Sequence, residues 1–246
     1  MAIAPFLNWG IKKPKQISKK IFFLTTITLL GGVGLFIIEE SSLFSIICGS
    51  LAIWLFTGVI VDFTSQIKNA NVNLSSFKAL LLFFSKNNIG IHIAHMGVAV
   101  FLAGVTGEQF YKTEFNIKKN IGDVISIGNK SLIFNKVETL AGPNYKSETA
   151  TFTLLKNGKI ISVLKPEKRF YPIEKSQTTE AAILSNFWGD TYLVLGDGNK
   201  ETGWSIRVYF NPLISWIWGG AGLMSLGGLV SILQSRTARR QVKSTS

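Results

Sequence analysis

Hydrophobic residues along the chain are gathered into four long runs, at roughly residues 20–38, 43–61, 89–106 and 212–233. Each run is close to or above the length of about 18 residues that lets a helix cross a bilayer. The first run is too long for a signal peptide, and no small-residue cleavage site follows it before the second run. The pattern therefore predicts an α-helical membrane protein with about four transmembrane helices.

Between the third and fourth runs the pattern changes to an alternation of apolar and polar residues, which is typical of β-strands. It is clearest in "DVISIGNKSLIFNKVETL", "ATFTLLKNGKIISVLKP" and "TYLVLGDGNKETGWSIRVYF". Asn157-Gly158 has the composition of a tight hairpin turn. Six or seven short strands in about a hundred residues predict a small antiparallel sandwich or barrel, inserted between the third and fourth helices.

The predicted organisation has three parts. Residues 1–106 form an N-terminal basic arm and three transmembrane helices, 107–211 a β domain, and 212–246 the fourth helix with a basic tail. Residues 75–87 contain an apolar run that is too short to cross a bilayer, and we expect this segment to lie in the membrane interface.

Charge sets the orientation, because basic residues stay on the cytoplasmic or matrix side. About half of the basic residues behind the net charge of +12 lie in segments flanking the membrane, so lipid headgroups account for them and nucleic-acid binding is excluded. Glu39 and Glu40 mark the opposite face, on which the β domain should lie. The basic residues that flank the apolar runs are Lys12, Lys13, Lys15, Lys19, Lys20, Lys68, Lys78, Lys86, Arg236, Arg239, Arg240 and Lys243.

The third run contains both histidines of the chain, His92 and His95. An ionisable side chain within a span is costly unless it faces the protein interior and has a partner. Small residues fall along one stripe of this helix, and the histidines lie roughly opposite. The stripe, which should let another helix approach closely, consists of Gly90, Ala94, Gly97 and Gly104.

Two interpretations of the histidines remain open on the residues alone. Each can be a neutral imidazole that is hydrogen-bonded to a neighbouring helix, or one can be an axial ligand of a b-type haem. His92 and His95 are three positions apart on one helix, so they cannot hold opposite faces of one porphyrin, and the chain has no third histidine. The sequence therefore predicts either no haem or a haem shared with another polypeptide.

Several motifs occur in a specific order: "APFLNW", "GIHIAHMGVAVFLAGVTG", "GPNY", "PEKRFYP", "TTEAAI", "DTYLVLGD" and "RVYFNPLISWIWGGAGLMSLGG". In order and spacing the chain resembles the C-terminal part of CcmF, the haem lyase subunit of the cytochrome c maturation system. The resemblance implies a transmembrane b haem. It also implies an outer-face site for haem delivered by the chaperone CcmE, beneath a tryptophan-rich segment flanked by histidines. That haem is joined to the cysteine thiols of apocytochrome c, which CcmH is thought to present.

The chain departs from this family pattern, because it lacks the tryptophan-rich motif and its flanking histidines. It also begins close to where the last third of a full-length member begins. These features predict a split form, inactive alone, whose other CcmF fragment carries the missing parts. Such forms occur in mitochondria that retain this system, so we expect the mitochondrial inner membrane, with the bacterial inner membrane as the alternative.

The resemblance places the axial ligand at His95, in the motif "AHMG". His92 is the second choice, because it lies closer to the basic side, where water or a propionate could reach it. No catalytic residue is assigned: the sequence shows neither a nucleophile beside a base nor a phosphate-binding loop. The alternative function is a noncatalytic membrane scaffold whose outer β domain docks partner proteins, with both histidines structural.

Other features have competing interpretations. Lys168 and Arg169 could pair with haem propionates, or they could be ordinary surface residues. The motifs "GPNY" and "PEKRFYP" have turn-like compositions, and "TTEAAI" either contacts the apocytochrome or begins a strand or helix. Trp216 and Trp218 suit an interfacial aromatic belt, and the stretch from Gly222 to Gly228 suits helix packing.

Overall fold

The computed structural model describes residues 14–38, 43–70, 89–127 and 130–244. The chain divides into two compact units. One comprises Met1–Phe110 together with Leu213–Ser246, and the other comprises Tyr111–Pro212. The predicted acidic loop at Glu39 and Glu40 and the predicted interfacial segment 75–87 lie outside the described residues, as do Lys12 and Lys13.

The described part of the first unit contains four α-helices. They are α1 (Pro14–Ile38), α2 (Leu43–Ala70), α3 (Ile89–Tyr111) and α4 (Ile214–Ser244). Each contains a segment long and apolar enough to cross a membrane, which confirms the prediction of about four transmembrane helices. α2 and α4 continue past their apolar runs, because the polar residues that follow those runs contain neither proline nor glycine to end the helix.

Helices α1 and α2 pack in opposite directions. Lys20, near the start of α1, donates a hydrogen bond from Nζ to Oγ of Ser65 near the end of α2 (2.9 Å). At the other end of the pair, a Cβ atom added at Gly32 would lie 2.8 Å from the Ser50 hydroxyl. Leu24 is fully buried. The small residues thus bring the two helices close together within the first unit.

Helices α3 and α4 meet along a glycine seam, which we define as Gly90 and Gly97 on α3 with Gly220 and Gly227 on α4. A Cβ atom added at Gly97 would lie 2.6 Å from the Met224 amide nitrogen and 2.7 Å from the Gly220 carbonyl oxygen. The same addition at Gly227 would lie 2.6 Å from the Gly90 carbonyl oxygen. Only glycine allows this approach, which confirms the predicted packing face of α3.

On α4 the predicted stretch from Gly222 to Gly228 is only partly correct. Gly227 belongs to the seam, but added Cβ atoms at Gly222 and Gly228 would meet no described atom within 4 Å. The second seam residue of α4 is Gly220, outside the predicted stretch. The reason is helical spacing: residues seven apart return to nearly the same face, whereas Gly222 and Gly228 point elsewhere.

The second unit has ten described strands, where six or seven were predicted. They are β1 (Thr113–Lys119), β2 (Val124–Ile127), β3 (Lys130–Ala141), β4 (Lys146–Lys156), β5 (Lys159–Leu164), β6 (Glu167–Tyr171), β7 (Ser176–Glu180), β8 (Ala182–Asn186), β9 (Gly189–Asn199) and β10 (Gly203–Pro212). One antiparallel sheet has the order β1-β10-β9-β8. The other has the order β2-β3-β4-β6-β7, with β5 also pairing with β4.

The two sheets form a sandwich around one apolar core. Phe134 and Phe152, from the second sheet, are fully buried and stack with their ring centroids 4.5 Å apart. Trp204, from the first sheet, meets Phe134 edge-on at 5.7 Å. The hairpin turn predicted at Asn157-Gly158 is confirmed, because both residues have the positive φ values, 51° and 76°, that such a turn needs.

Strand register gives this domain two distinct ends. At the proximal end, which we define by Thr113, Lys130, Lys156, Gly189 and Pro212, β10 pairs with both β1 and β9, and Lys130 pairs with Lys156. At the distal end, β4 begins at Lys146, which pairs with both Ala141 and Phe170. β4 has 11 residues, so the two ends are about 33 Å apart.

Candidate functional site

Asp62 and His92 form a buried acid–imidazole pair within the first unit. Asp62 lies on α2 and His92 on α3, and Oδ2 of Asp62 is 3.6 Å from Nε2 of His92. Both residues are buried, with 5% and 7% of their surface exposed. The ring of Phe63 meets the imidazole edge-on, with the centroids 6.1 Å apart. The pair links two membrane helices through polar side chains in an apolar setting.

Sequence reasoning missed Asp62, although a signal was present. The second apolar run ends at residue 61, and Asp62 directly follows it. In the structure α2 continues for two further turns, so this carboxylate remains within the candidate span Leu43–Ser65. An acidic residue so close to a predicted span is the kind of intramembrane group that a partner must balance.

His92 is less accessible than the sequence suggested. We expected water to reach it near the basic side, but it is buried against α2 and has a carboxylate beside it. This arrangement matches the structural interpretation of an intramembrane imidazole, in which the partner lies on a neighbouring helix. Its physical cause is the packing of α2 and α3, where Leu55 and Ala99 also meet in a small apolar cluster.

An apolar groove of about 240 Å³ lies beside the pair. Its lining comes from α2, α3 and α4: Val59, Ile60, Phe63, His92, Ile93, Met96 and Leu223. His95 lies about 60° around the helix from His92 and is only partly buried. The two histidines therefore have different surroundings, with a carboxylate and a groove beside His92 and a more open surface at His95.

The side chains that could donate to a metal indicate whether the first unit suits a haem iron. Among the described residues, no group of three or more His, Cys, Asp or Glu side chains could hold a metal ion together. A b-type haem does not need such a group, since two single axial imidazoles suffice. The part-buried imidazole of His95 is the donor on α3 that could hold such an iron.

The distal end of the β domain brings three sequence motifs together. Tyr145 of "GPNY" and Tyr171 of "PEKRFYP" have ring centroids 5.6 Å apart, and the Arg169 guanidinium lies 4.5 Å from the centre of the Tyr145 ring. Arg169 also pairs in the sheet with Thr178 of "TTEAAI". The amide of Gly142 donates to the Tyr145 carbonyl at 2.8 Å, so "GPNY" is a closed turn.

Both basic residues of "PEKRFYP", Lys168 and Arg169, form ion pairs with carboxylates. Lys168 donates a hydrogen bond to Asp197 and lowers the pKa of that carboxyl. Arg169 donates to Glu167 at 2.9 Å, which raises the pKa of the guanidinium further above its ordinary value, and it lies 3.6 Å from Glu180. Lys168 and Arg169 are therefore surface ion-pair residues in this structure, which weakens their interpretation as haem-propionate partners.

The proximal end carries a second groove, of about 560 Å³, that sequence reasoning missed. It is lined by Trp188, Phe187, Phe210 and Lys130, among others. Lys130 donates to the Thr191 hydroxyl at 3.3 Å, and its ammonium lies 4.3 Å from the centre of the Phe210 ring. Burial, and then the nearby charge of Lys156, lower the pKa of Lys130. The signal in the sequence was the apolar pair in "NFWGD", two large rings at a hairpin tip.

Comparison with known proteins gives consistent matches. Residues 110–212 match the family described as CcmF C-terminal beta-sandwich. The chain is 28% identical to the cytochrome c-type biogenesis protein CcmF of Escherichia coli (strain K12) over 242 residues, which are 98% of this chain and 36% of that protein. It is 37% identical to the cytochrome c-type biogenesis protein ccl1 of Rhodobacter capsulatus over 147 residues, 60% of this chain and 22% of the relative.

A solved structure has the same fold. The structure of Cytochrome c Heme Lyase CcmF superimposes with a TM-score of 0.62 and 19% sequence identity, covering 94% of this chain and 37% of that one. The four candidate spans and the sandwich define a membrane protein that is similar to these biogenesis proteins. In sequence and in fold, the chain is similar to the C-terminal part of CcmF. It spans about a third of the length of the E. coli relative, 36%.

Proposed function

We propose that this chain takes part in cytochrome c maturation as a subunit of a cytochrome c haem lyase. The observation that carries the proposal is the match to the E. coli CcmF protein over 98% of this chain, which includes the histidine-bearing helix α3 and the sandwich. The chain lacks a tryptophan-rich outer segment, so lyase activity requires another polypeptide segment that supplies one.

Within that function, His95 is the axial ligand contributed by this chain to a transmembrane b haem, and His92 is the second choice. A b haem bound here would supply one-electron transfer, which keeps the substrate haem iron reduced for attachment. The chain's own residues hold and orient: His95 offers an imidazole from α3, while Asp62 and the glycine seam fix α3 against α2 and α4.

The proposed partners follow from the family. They are the other CcmF fragment with the tryptophan-rich segment, the haem chaperone CcmE, CcmH and apocytochrome c. The chain is an integral membrane protein, with its β domain in the intermembrane space or periplasm. We place it in the mitochondrial inner membrane on the split-subunit hypothesis; the relatives named above are bacterial, and the bacterial inner membrane is the alternative.

An absorption spectrum tests the proposal. The chain is purified alone and after coexpression with a segment that carries the tryptophan-rich motif, and each sample is reduced with dithionite. We expect a b-type spectrum and covalent attachment of haem to an apocytochrome only in the coexpressed sample. A coexpressed complex without haem would instead support the noncatalytic scaffold, and maturation by the isolated chain would contradict the split-subunit hypothesis.

A further inference from the structure

The proximal end of the β domain exposes large apolar side chains at the tip of the β8–β9 hairpin. Phe187 is 65% exposed and Trp188 is 69% exposed. Their rings meet edge-on with the centroids 5.1 Å apart, so they form one compact apolar projection. Ile161, which lines the same groove, is 47% exposed. Large contiguous apolar patches on a protein surface mark sites that contact a protein, a membrane or a ligand.

The chain connections tether the proximal end of the β domain to α3 and α4. Gly189, directly after Trp188, pairs with Pro212, and Pro212 is two residues before the first residue of α4 in the chain. On the other side of β10, Phe210 pairs with Thr113, which is two residues after the end of α3. Two residues of extended chain reach about 7 Å. Both covalent links between the domain and the helices are therefore at the proximal end, the end that carries the rings.

The polar residues of the same end suit phospholipid headgroups. Lys130 and Lys156 pair with one another across β3 and β4 and line the groove beside Trp188. A lysine whose stem lies along apolar surface can keep its ammonium at the level of lipid phosphates. Aromatic rings beside such ammonium groups are the composition of an interfacial membrane anchor.

We propose that Phe187 and Trp188 insert into the outer leaflet of the bilayer, with Lys130 and Lys156 facing the lipid phosphates. The hairpin tip is then a third attachment of the β domain to the membrane, in addition to its two covalent tethers. This attachment limits rotation of the domain about the tethers. It also fixes the distance between the membrane and the cluster of Tyr145, Arg169 and Tyr171 at the distal end. The alternative is that the hairpin tip contacts another protein surface, and the experiment below distinguishes this contact from insertion into lipid.

Spin labels measure the insertion directly. The only cysteine, Cys48, is replaced by serine, and single cysteines are placed at Phe187, Trp188 and Ile173 in the full chain. Ile173 is the matched control: it is a large apolar residue, 85% exposed, in the distal turn between β6 and β7. The labelled proteins are reconstituted in nanodiscs of equal amounts of phosphatidylcholine and phosphatidylglycerol. Accessibility to oxygen and to a water-soluble nickel chelate is measured by power saturation.

Insertion predicts that positions 187 and 188 are more accessible to oxygen than to the nickel chelate, and that position 173 shows the reverse. If positions 187 and 188 favour the nickel chelate as position 173 does, the tip lies in water and the proposal is wrong. Low accessibility to both reagents would place the tip against protein and would overturn the proposal equally.

A second measurement needs no label. Phosphatidylcholine brominated near the headgroup quenches nearby tryptophans, so the quenching of the unsubstituted chain is compared with that of Trp188→Phe. We expect the difference spectrum to show that Trp188 loses most of its emission in bromolipid nanodiscs. Equal emission from Trp188 in brominated and ordinary lipid would contradict insertion. This result does not depend on haem binding or cytochrome maturation.

Discussion

The carboxylate of Asp62 on α2 lies 3.6 Å from the imidazole of His92 on α3, and both side chains are buried in the first unit. Each group lowers the cost of burying the other, because an ionisable side chain loses its hydration in an apolar setting. The pair therefore fixes which faces of α2 and α3 meet. It also holds the helix turn that presents His95, three residues further along α3.

Removing one member of this pair should destabilise the helix bundle more than removing both. Asp62→Leu leaves the His92 imidazole without its carboxylate, and we expect a loss of about 3 kcal/mol in the free energy of unfolding. Asp62→Leu combined with His92→Leu should recover most of that loss, because neither member of the pair then remains buried without the other. Thermal unfolding in detergent micelles measures each variant.

Thr64→Ala is the control for α2, since the Thr64 hydroxyl is exposed and donates to Ile60 of its own helix. It should change the unfolding midpoint little. An Asp62→Leu variant that melts like Thr64→Ala would show that the pair contributes nothing to the packing of α2 on α3.

Two neighbouring glycines of α4 should respond oppositely to alanine. At Gly227 the new Cβ would lie 2.4 Å from the Ala94 amide nitrogen, so α3 and α4 must separate. We expect a loss of about 1–3 kcal/mol, as for other overpacked interfaces. At Gly228 the Cβ meets no described atom within 4 Å, and alanine should be neutral or stabilise the helix by up to about 1 kcal/mol. Equal midpoints for the two variants would contradict the seam.

The Lys168–Asp197 ion pair should make a small, pH-dependent contribution to the stability of the sandwich. Lys168 lowers the pKa of Asp197 below its ordinary value of 3.8. A carboxyl whose pKa is lowered by folding stabilises the native state above its unfolded pKa, and that stabilisation is lost as the pH falls through the folded value. Asp197→Asn should therefore lower the unfolding midpoint slightly at neutral pH but not in strong acid.

Salt provides the check on this interpretation. Asp197 is almost fully exposed, so added salt should reduce the effect of Asp197→Asn at neutral pH. Glu174→Gln, an exposed acidic residue of the turn between β6 and β7, serves as the charge-matched control. If Asp197→Asn and Glu174→Gln had the same pH profile, net charge would explain the result and the ion pair would not.

The elements predicted correctly from sequence are those marked either by a long apolar run or by a repeating pattern on one face. The four spans follow from continuous apolar runs, and the packing face of α3 follows from glycines at a seven-residue spacing. The sequence left open whether "TTEAAI" begins a strand or a helix, because all five residues of β7 are exposed and no alternation of apolar and polar residues marks the strand. Asp62 was missed as a partner of His92 because that contact joins residues 30 positions apart, and only the packing of two helices creates it.

The orientation of the chain is testable by cysteine labelling in the Cys48→Ser background. Single cysteines at exposed positions of the β domain, such as Ile173, should react with a membrane-impermeant maleimide added from the outer face. Cysteines near Lys13 or Arg240 should react only after the membrane is permeabilised, because their basic surroundings stay on the inner side. Labelling of both tails from outside would reverse the predicted orientation.

The assignment of the haem ligand is the most specific prediction. α3 begins at Ile89, which puts His95 about 9 Å along the helix, below the headgroups. An imidazole at that depth needs a partner, and a haem iron would provide one. His92 already has Asp62 beside it. We therefore expect His95→Ala to remove the b-type absorption of the coexpressed complex and to block maturation. His92→Ala leaves the buried Asp62 carboxylate without this imidazole and should lower the yield of folded complex, but the complex that folds should keep most of its bound haem.

Chemical rescue separates loss of the ligand from loss of the fold. In His95→Gly the deleted side chain leaves a space of its own shape, so added imidazole should restore part of the absorption and part of the maturation activity. Imidazole should not restore a complex that failed to fold, and His92→Ala should not respond to it. If His95→Ala retained a full, unshifted spectrum while His92→Ala lost it, the ligand would be His92, one turn earlier on α3. If neither substitution changed the spectrum, this helix would carry no haem ligand, and both imidazoles would have the structural role that Asp62 indicates for His92.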